Sequence, residues 1–167
     1  IRDADVTGVQ TCALPISPVN QTGIDRFKRM VEAAEKRGVN IALENLIRPE
    51  YLEPLFSSID SERLGFCYDS GHENFFSKGT DLLSQYGPKL IALHLHDNDG
   101  SKDQHLLPGE GNIDWDTLMK KISSTGYTGP VALEAANRHT KHPPGETPES
   151  FLKKAFDAAR RLRGLLN

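Results

Sequence analysis

Four short apolar runs constrain this chain more than any other feature, because each closes on an ionisable residue and is parted from the next by a helix-like stretch. Val39 to Leu43 ends at Glu44 and Asn45, and Leu64 to Tyr68 ends at Asp69. Lys89 to Leu95 runs into His94, His96 and Asp97, and Val131 to Leu133 ends at Glu134. Short runs of this composition have the pattern of strands buried on both faces. Between them, Gly23–Arg37 places Ile24, Phe27, Met30, Val31 and Ala34 at helical spacing before a stop at Gly38. Tyr51–Ser58, Asp81–Tyr86, Asp114–Ser123 and Glu149–Leu165 predict further helices, Asp114 serving as a cap, while Asn98–Asn112 and Asn137–Pro148 read as loops.

Strands that alternate with helices require a parallel sheet, since a crossover helix is what joins parallel neighbours. In a (β/α) barrel the active site lies at the carboxyl ends of the strands, which is where the ionisable residues fall. An open doubly wound sheet would concentrate its signal in a glycine-rich first turn, and no G-x-G-x-x-G follows any of these runs. The expected fold is therefore α/β, the C-terminal part of a (β/α)8 TIM barrel with about four parallel strands. Val6 to Ile16 resembles the conceptual translation of a sequencing adapter, so residues 1–17 are read as a non-native segment. Residues 18–167 then form the barrel domain, truncated at the N-terminus, and a chain with such open sheet edges is expected to be incomplete as an enzyme.

Net charge is −3 and the basic residues are scattered, so no electropositive footprint for a phosphate backbone stands out. The longest apolar runs are broken by charge or histidine well before membrane-spanning length. Cys12 and Cys67 lie far apart without C-x-x-C spacing, which argues against a disulfide framework or zinc knot and makes a reducing, cytoplasmic setting the default.

Glu44, Asp69, His94 and Glu134 are thus delivered from four strands to one face. Three carboxylates with one imidazole suit magnesium, manganese or cobalt, and added histidines would admit zinc. A divalent cation also explains how such carboxylates coexist, because it offsets their mutual repulsion. Singly, each has an ordinary explanation: a helix cap for Glu44, a turn for Asp69, a core histidine for His94, a partner for Arg138 in the case of Glu134. Recurrence at every strand is what singles them out. His72, three residues after Asp69, and the pair Asp103 and His105 form a second tier that could bind a second metal or hold substrate. His96 is read as pointing to the side opposite His94, and His96 and Asp97 as a solvated strand end at least as readily as a pair with a direct catalytic role. Trp115 is read as packing at a helix start, and Arg138 and His142 as loop residues able to reach a phosphate.

Leu43-Glu-Asn45, Cys67-Tyr-Asp-Ser-Gly-His72, Ala92-Leu-His-Leu-His-Asp97, Asp103-Gln-His105, Pro108-Gly-Glu-Gly-Asn-Ile-Asp-Trp115 and Val131-Ala-Leu-Glu134 together resemble successive motifs of the xylose isomerase-like superfamily. That superfamily holds sugar and sugar-phosphate isomerases and epimerases, inosose dehydratases and endonuclease IV. The resemblance implies one divalent metal on Glu44, Asp69, His94 and Glu134, with both glutamates moving the proton through a metal-stabilised enediolate. It implies a substrate contact at His72, with Asn45 and Arg138 as further candidates. In the endonuclease IV branch, the counterparts of His72, Asp103 and His105 are extra metal ligands. The expected activity is isomerisation or epimerisation of a small carbohydrate, with abasic-site phosphodiester hydrolysis or an inosose dehydratase-like lyase as alternatives. Incomplete closure leaves room for a homo-oligomer.

Overall fold

The computed structural model describes residues 20–137 and 147–166. Helix α1 (Gln21–Glu35) starts where Asn20 Oδ1 accepts from the Gly23 N–H at 3.0 Å, a side-chain cap for an otherwise orphaned donor. It turns Phe27, Val31 and Ala34 inward at the predicted spacing. Strand β1 (Ile41–Glu44), helix α2 (Leu52–Ser58) and strand β2 (Leu64–Asp69) follow. Next come helices α3 (Ser70–Phe76) and α4 (Leu82–Tyr86), strand β3 (Leu90–His94), and helices α5 (Trp115–Ser124) and α6 (Pro148–Gly164). The sheet runs β1-β2-β3 with every pairing parallel, and its register sets Glu44 beside Cys67 and Asp69 beside His94. The fold is α/β, an arc of a barrel, as the alternation predicts.

The period of two along a strand sorts the side chains into two environments. Leu43, Phe66, Tyr68, Leu93 and Leu95 join Leu52, Leu55, Leu82, Met119 and Ile122 of the helices in one buried cluster. Each such side chain, fully withdrawn from water, contributes about 1.5–3 kcal/mol. Ala42, Cys67 and Ala92 form a separate small cluster with Ile91. Two residues beyond each of these small side chains stands an ionisable one: Glu44, Asp69 and His94.

Two features depart from the sequence reading. The expected fourth strand is not a regular strand: Leu133 makes a single parallel bridge to Leu95, through Leu95 N–H to Ala132 O and Glu134 N–H to Leu95 O, both at 2.9 Å. The pairing goes no further on either side: Pro130 O, the acceptor the next rung back would use, accepts from the Tyr127 hydroxyl at 2.9 Å, and two residues past Glu134 the Ala136 N–H bonds to His105 O. Helix α3 is an addition, because Ser-Gly-His-Glu-Asn is a weak helix former. Asp69 nucleates it as the N-cap, its Oδ1 accepting from the His72 N–H at 2.7 Å. The expected non-native segment 1–17, Arg138 and His142 lie outside the described residues.

Candidate metal centre

Glu44, Asp69, His94 and Glu134 each bring one ligand-type atom to a common point, all within 4.8 Å of one another. The chain reaches there because β2 and β3 end level at Asp69 and His94, β1 ends two residues short of them at Glu44, and the bridge at Leu133 brings Glu134 alongside. His94 Nδ1 lies 3.4 Å from Glu44 Oε1 and 3.6 Å from Glu134 Oε2. Glu44 and Asp69 are buried, while the Glu134 side chain keeps 45% of its surface open, so the group has one accessible wall. Asp69 Oδ2 and His94 Nδ1 are buried without an aligned hydrogen-bond partner. An orphaned buried carboxylate oxygen is costly in a folded protein, and a cation between these groups removes that cost. The residues present therefore fit a divalent metal.

The cation-free electrostatics agree. Burial raises the Glu134 pKa, with the carboxylates of Asp69 and Glu44 adding to the rise and His94 opposing it. The Glu44 carboxylate lifts the His94 pKa against the effect of burial. Both shifts describe crowded anions recruiting positive charge.

A second group adjoins the first. His72, His96, Asp103 and His105 also bring ligand-type atoms within 4.8 Å of one another. His105 Nε2 stands 3.2 Å and His72 Nε2 3.5 Å from Asp103 Oδ2, and His96 Nε2 lies 3.7 Å from Asp103 Oδ1. His105 Nδ1 is 2.7 Å from the backbone O of Glu134. A carbonyl only accepts, so Nδ1 carries the proton and Nε2 of the neutral ring offers a lone pair to the group. His105 reaches this place with φ +50°, a left-handed conformation rare outside glycine. His72 links the two groups, with Nδ1 at 3.2 Å from Glu44 Oε1. Burial would lower the His72 pKa, but Asp103, Glu44 and Asp69 outweigh it and hold it at about 10. Asp103 likewise holds His105 at about 9. The burial of Asp103 is overcome by His105 and His72, which keep its carboxyl far below the usual range.

Three expectations need correction. His96 and Asp97 are not a solvated strand end, since both have no exposed surface. Residues two apart along an extended chain share a face, so His96 follows His94 toward the site, and its Nε2 lies 3.0 Å from Asp69 Oδ1. Asp97 instead ties down the following loop: Oδ2 accepts from the Gly109 N–H and the Trp115 indole N–H, both at 2.8 Å, and Oδ1 accepts from the Ile113 N–H at 3.2 Å. That contact also explains Trp115, which is buried at the start of α5 as expected. Asn45 is not placed to touch substrate, because it is wholly buried and both ends of its amide engage the backbone of Asp69.

A family model described as xylose isomerase-like TIM barrel matches residues 15–161. The chain belongs to that family. An uncharacterized protein of Sinorhizobium fredii is 43% identical to this xylose isomerase-like chain over 106 residues, covering 59% of the chain and 34% of the relative. A fructoselysine 3-epimerase of Escherichia coli is 39% identical over 80 residues, covering 48% of the chain and 27% of the relative. The chain thus spans well under half the length of these relatives. Among solved structures, a D-psicose 3-epimerase of Clostridium cellulolyticum aligns over 98% of the chain and 65% of its own length, with TM-score 0.76 at 20% identity. That likeness speaks for the xylose isomerase-like fold alone. Among the described residues, no helix is long and apolar enough to cross a membrane.

Proposed function

We propose that this chain carries the catalytic face of a divalent-cation-dependent sugar or sugar-phosphate isomerase or epimerase. The reading rests above all on the convergence of Glu44, Asp69, His94 and Glu134, where Asp69 Oδ2 and His94 Nδ1 are buried without a hydrogen bond. Similarity to a fructoselysine 3-epimerase over part of the chain supports the same class. Three carboxylates and an imidazole favour manganese, magnesium or cobalt. A cation bound there supplies Lewis acidity toward a substrate carbonyl, which makes the neighbouring C–H more acidic.

The rest falls to the side chains. Glu134, whose pKa is raised and whose side chain is the more open of the two, holds or releases a proton at Oε toward a carbohydrate lying over the site. Glu44, buried and facing His72 Nδ1, is the complementary base. Asp69 and His94 hold the cation without entering the proton transfer. His72 serves as a substrate contact or as a ligand for a second cation with Asp103 and His105. Since the curated relatives are longer, we place the activity in a protein of their fuller length and expect little turnover from these 167 residues alone. We place it in a reducing cytoplasm, in keeping with Cys12 and Cys67 lying far apart in sequence without C-x-x-C spacing. In the fuller protein, Glu134→Gln should abolish exchange of a substrate C–H with solvent deuterium, and undiminished exchange would remove the acid–base assignment.

The second group favours one other reading, phosphodiester cleavage at abasic sites, because His72, Asp103 and His105 stand as ligands for an additional cation would. The balance of 20 Lys and Arg against 23 Asp and Glu disfavours a DNA-binding face. Incision of an abasic duplex by the metal-loaded protein would reverse the ranking.

A further inference from the structure

Where the sheet's own ladder stops, a buried side chain takes over its work, and it does so twice in the same way. Asn45, the residue after Glu44, reaches across to the next strand: its Nδ2 donates to Asp69 O at 2.8 Å and its Oδ1 accepts from the Asp69 N–H at 2.7 Å. Ser70, the residue after Asp69, reaches one strand further: its Oγ donates to His96 O at 2.7 Å and accepts from the His96 N–H at 3.0 Å. Both side chains are wholly or almost wholly buried, at 0% and 2% exposure. In each case one side chain satisfies both backbone groups of a single residue, Asp69 at the end of β2 or His96 two residues past β3, and the side chains of these two residues meet at 3.0 Å between the metal-binding groups.

We infer that Asn45 and Ser70 are positioning residues, which clamp the backbones of Asp69 and His96 and so set the geometry of the cation site. The inference rests on the cation reading above. Backbone bonds alone could not do this, because past Glu44 the chain leaves the strand, with Leu46 N–H turning back to Glu44 O at 3.1 Å. An amide or hydroxyl spacer bridges the gap that opens as the strands end. With the clamp removed, Asp69 keeps its cap on α3, yet its main chain loses the partner that fixes where the carboxylate points.

The test is a Mn²⁺ titration of the whole 167-residue chain by electron paramagnetic resonance, at a temperature where circular dichroism shows each variant folded. Asn45→Ala and Ser70→Ala should each weaken Mn²⁺ binding by about 10–100-fold, the range for groups that orient ligands, and Ser70→Thr should restore most of it. A purely structural role would lower the melting temperature and leave the dissociation constant of the folded variant unchanged, which would overturn the inference. If Asn45→Ala does not fold, the Ser70 pair decides alone. If the wild-type chain takes up no Mn²⁺, the cation reading fails and crystal structures decide the clamp separately. Movement of the Asp69 carboxylate by more than about 0.5 Å in Asn45→Ala would sustain it, and an unmoved carboxylate would end it.

Discussion

Gly71→Ala should destabilise this protein although it places a better helix former inside a helix. An exposed helical glycine exchanged for alanine gains about 1 kcal/mol. Gly71 is buried at the second position of α3, and a Cβ there would stand 1.9 Å from His96 Cε1 and 2.3 Å from His96 Nδ1. To regain ordinary contact near 3.4 Å, the ring would have to retreat by about 1.5 Å. It has nowhere to go, because its other face is stacked on His105 with centroids 3.9 Å apart and planes 9° from parallel. Overpacking in such a closed place costs about 3 kcal/mol, the upper part of the usual range. The net loss of about 2 kcal/mol lowers the melting temperature by roughly 4–8 °C in a chain of this size. Displacing His96 also disturbs Asp69, so Mn²⁺ affinity should fall with stability. Scanning calorimetry and a metal titration of the same sample read both effects, and a variant that melts at or above wild type with unchanged affinity would refute the packing described for His96.

The pH dependence has a definite sign. In the cation-free chain His72 and His105 sit at about 10 and 9, above the roughly 6.5 of an unfolded chain. Their stabilisation is therefore complete below about pH 6.5 and is lost as the pH rises through 9 and 10, which melts of the cation-free chain at pH 6 and pH 10 will read. A cation held by the second group must displace those protons, so apparent affinity there should rise with pH, and calorimetry in buffers of different ionisation enthalpy should show proton release. Trp115→Phe removes one of the donors to Asp97 Oδ2 and should cost about 1–3 kcal/mol, seen as an earlier melt with the helix content of the folded state unchanged. Asp69→Asn should weaken Mn²⁺ binding more than any other single change at the site, because Asp69 lies in the first group and within 3.0 Å of His96 in the second.

The strand ends were legible because their signal is local: a short apolar run followed by an ionisable residue gives both the element and the direction of its last side chain. Glu44, Asp69, His94 and Glu134 could be named from that pattern, and their meeting follows from parallel order. Trp115 and the cap at Asp114 were legible for the same reason. What escaped depends on contacts between distant segments. Nothing local marks Asn45 as the partner of a backbone 24 residues away, or Asp97 as the anchor of a loop that returns 12 and 18 residues later. Polar residues at such places look solvated until the fold closes over them. Helix α3 was hidden because its cap is also a site carboxylate, and the fourth strand was overdrawn because apolar character at Val131 to Leu133 does not reveal how few backbone bonds the neighbours leave for it.

The most direct measurement is a crystal structure of the chain grown with Mn²⁺, with data collected near the manganese absorption edge. One anomalous peak should lie about 2.0–2.3 Å from oxygen atoms of Glu44, Asp69 and Glu134 and from a ring nitrogen of His94. A map with no peak there, and with Asp69 and His94 turned to bond to other parts of the protein, would contradict the account at its centre.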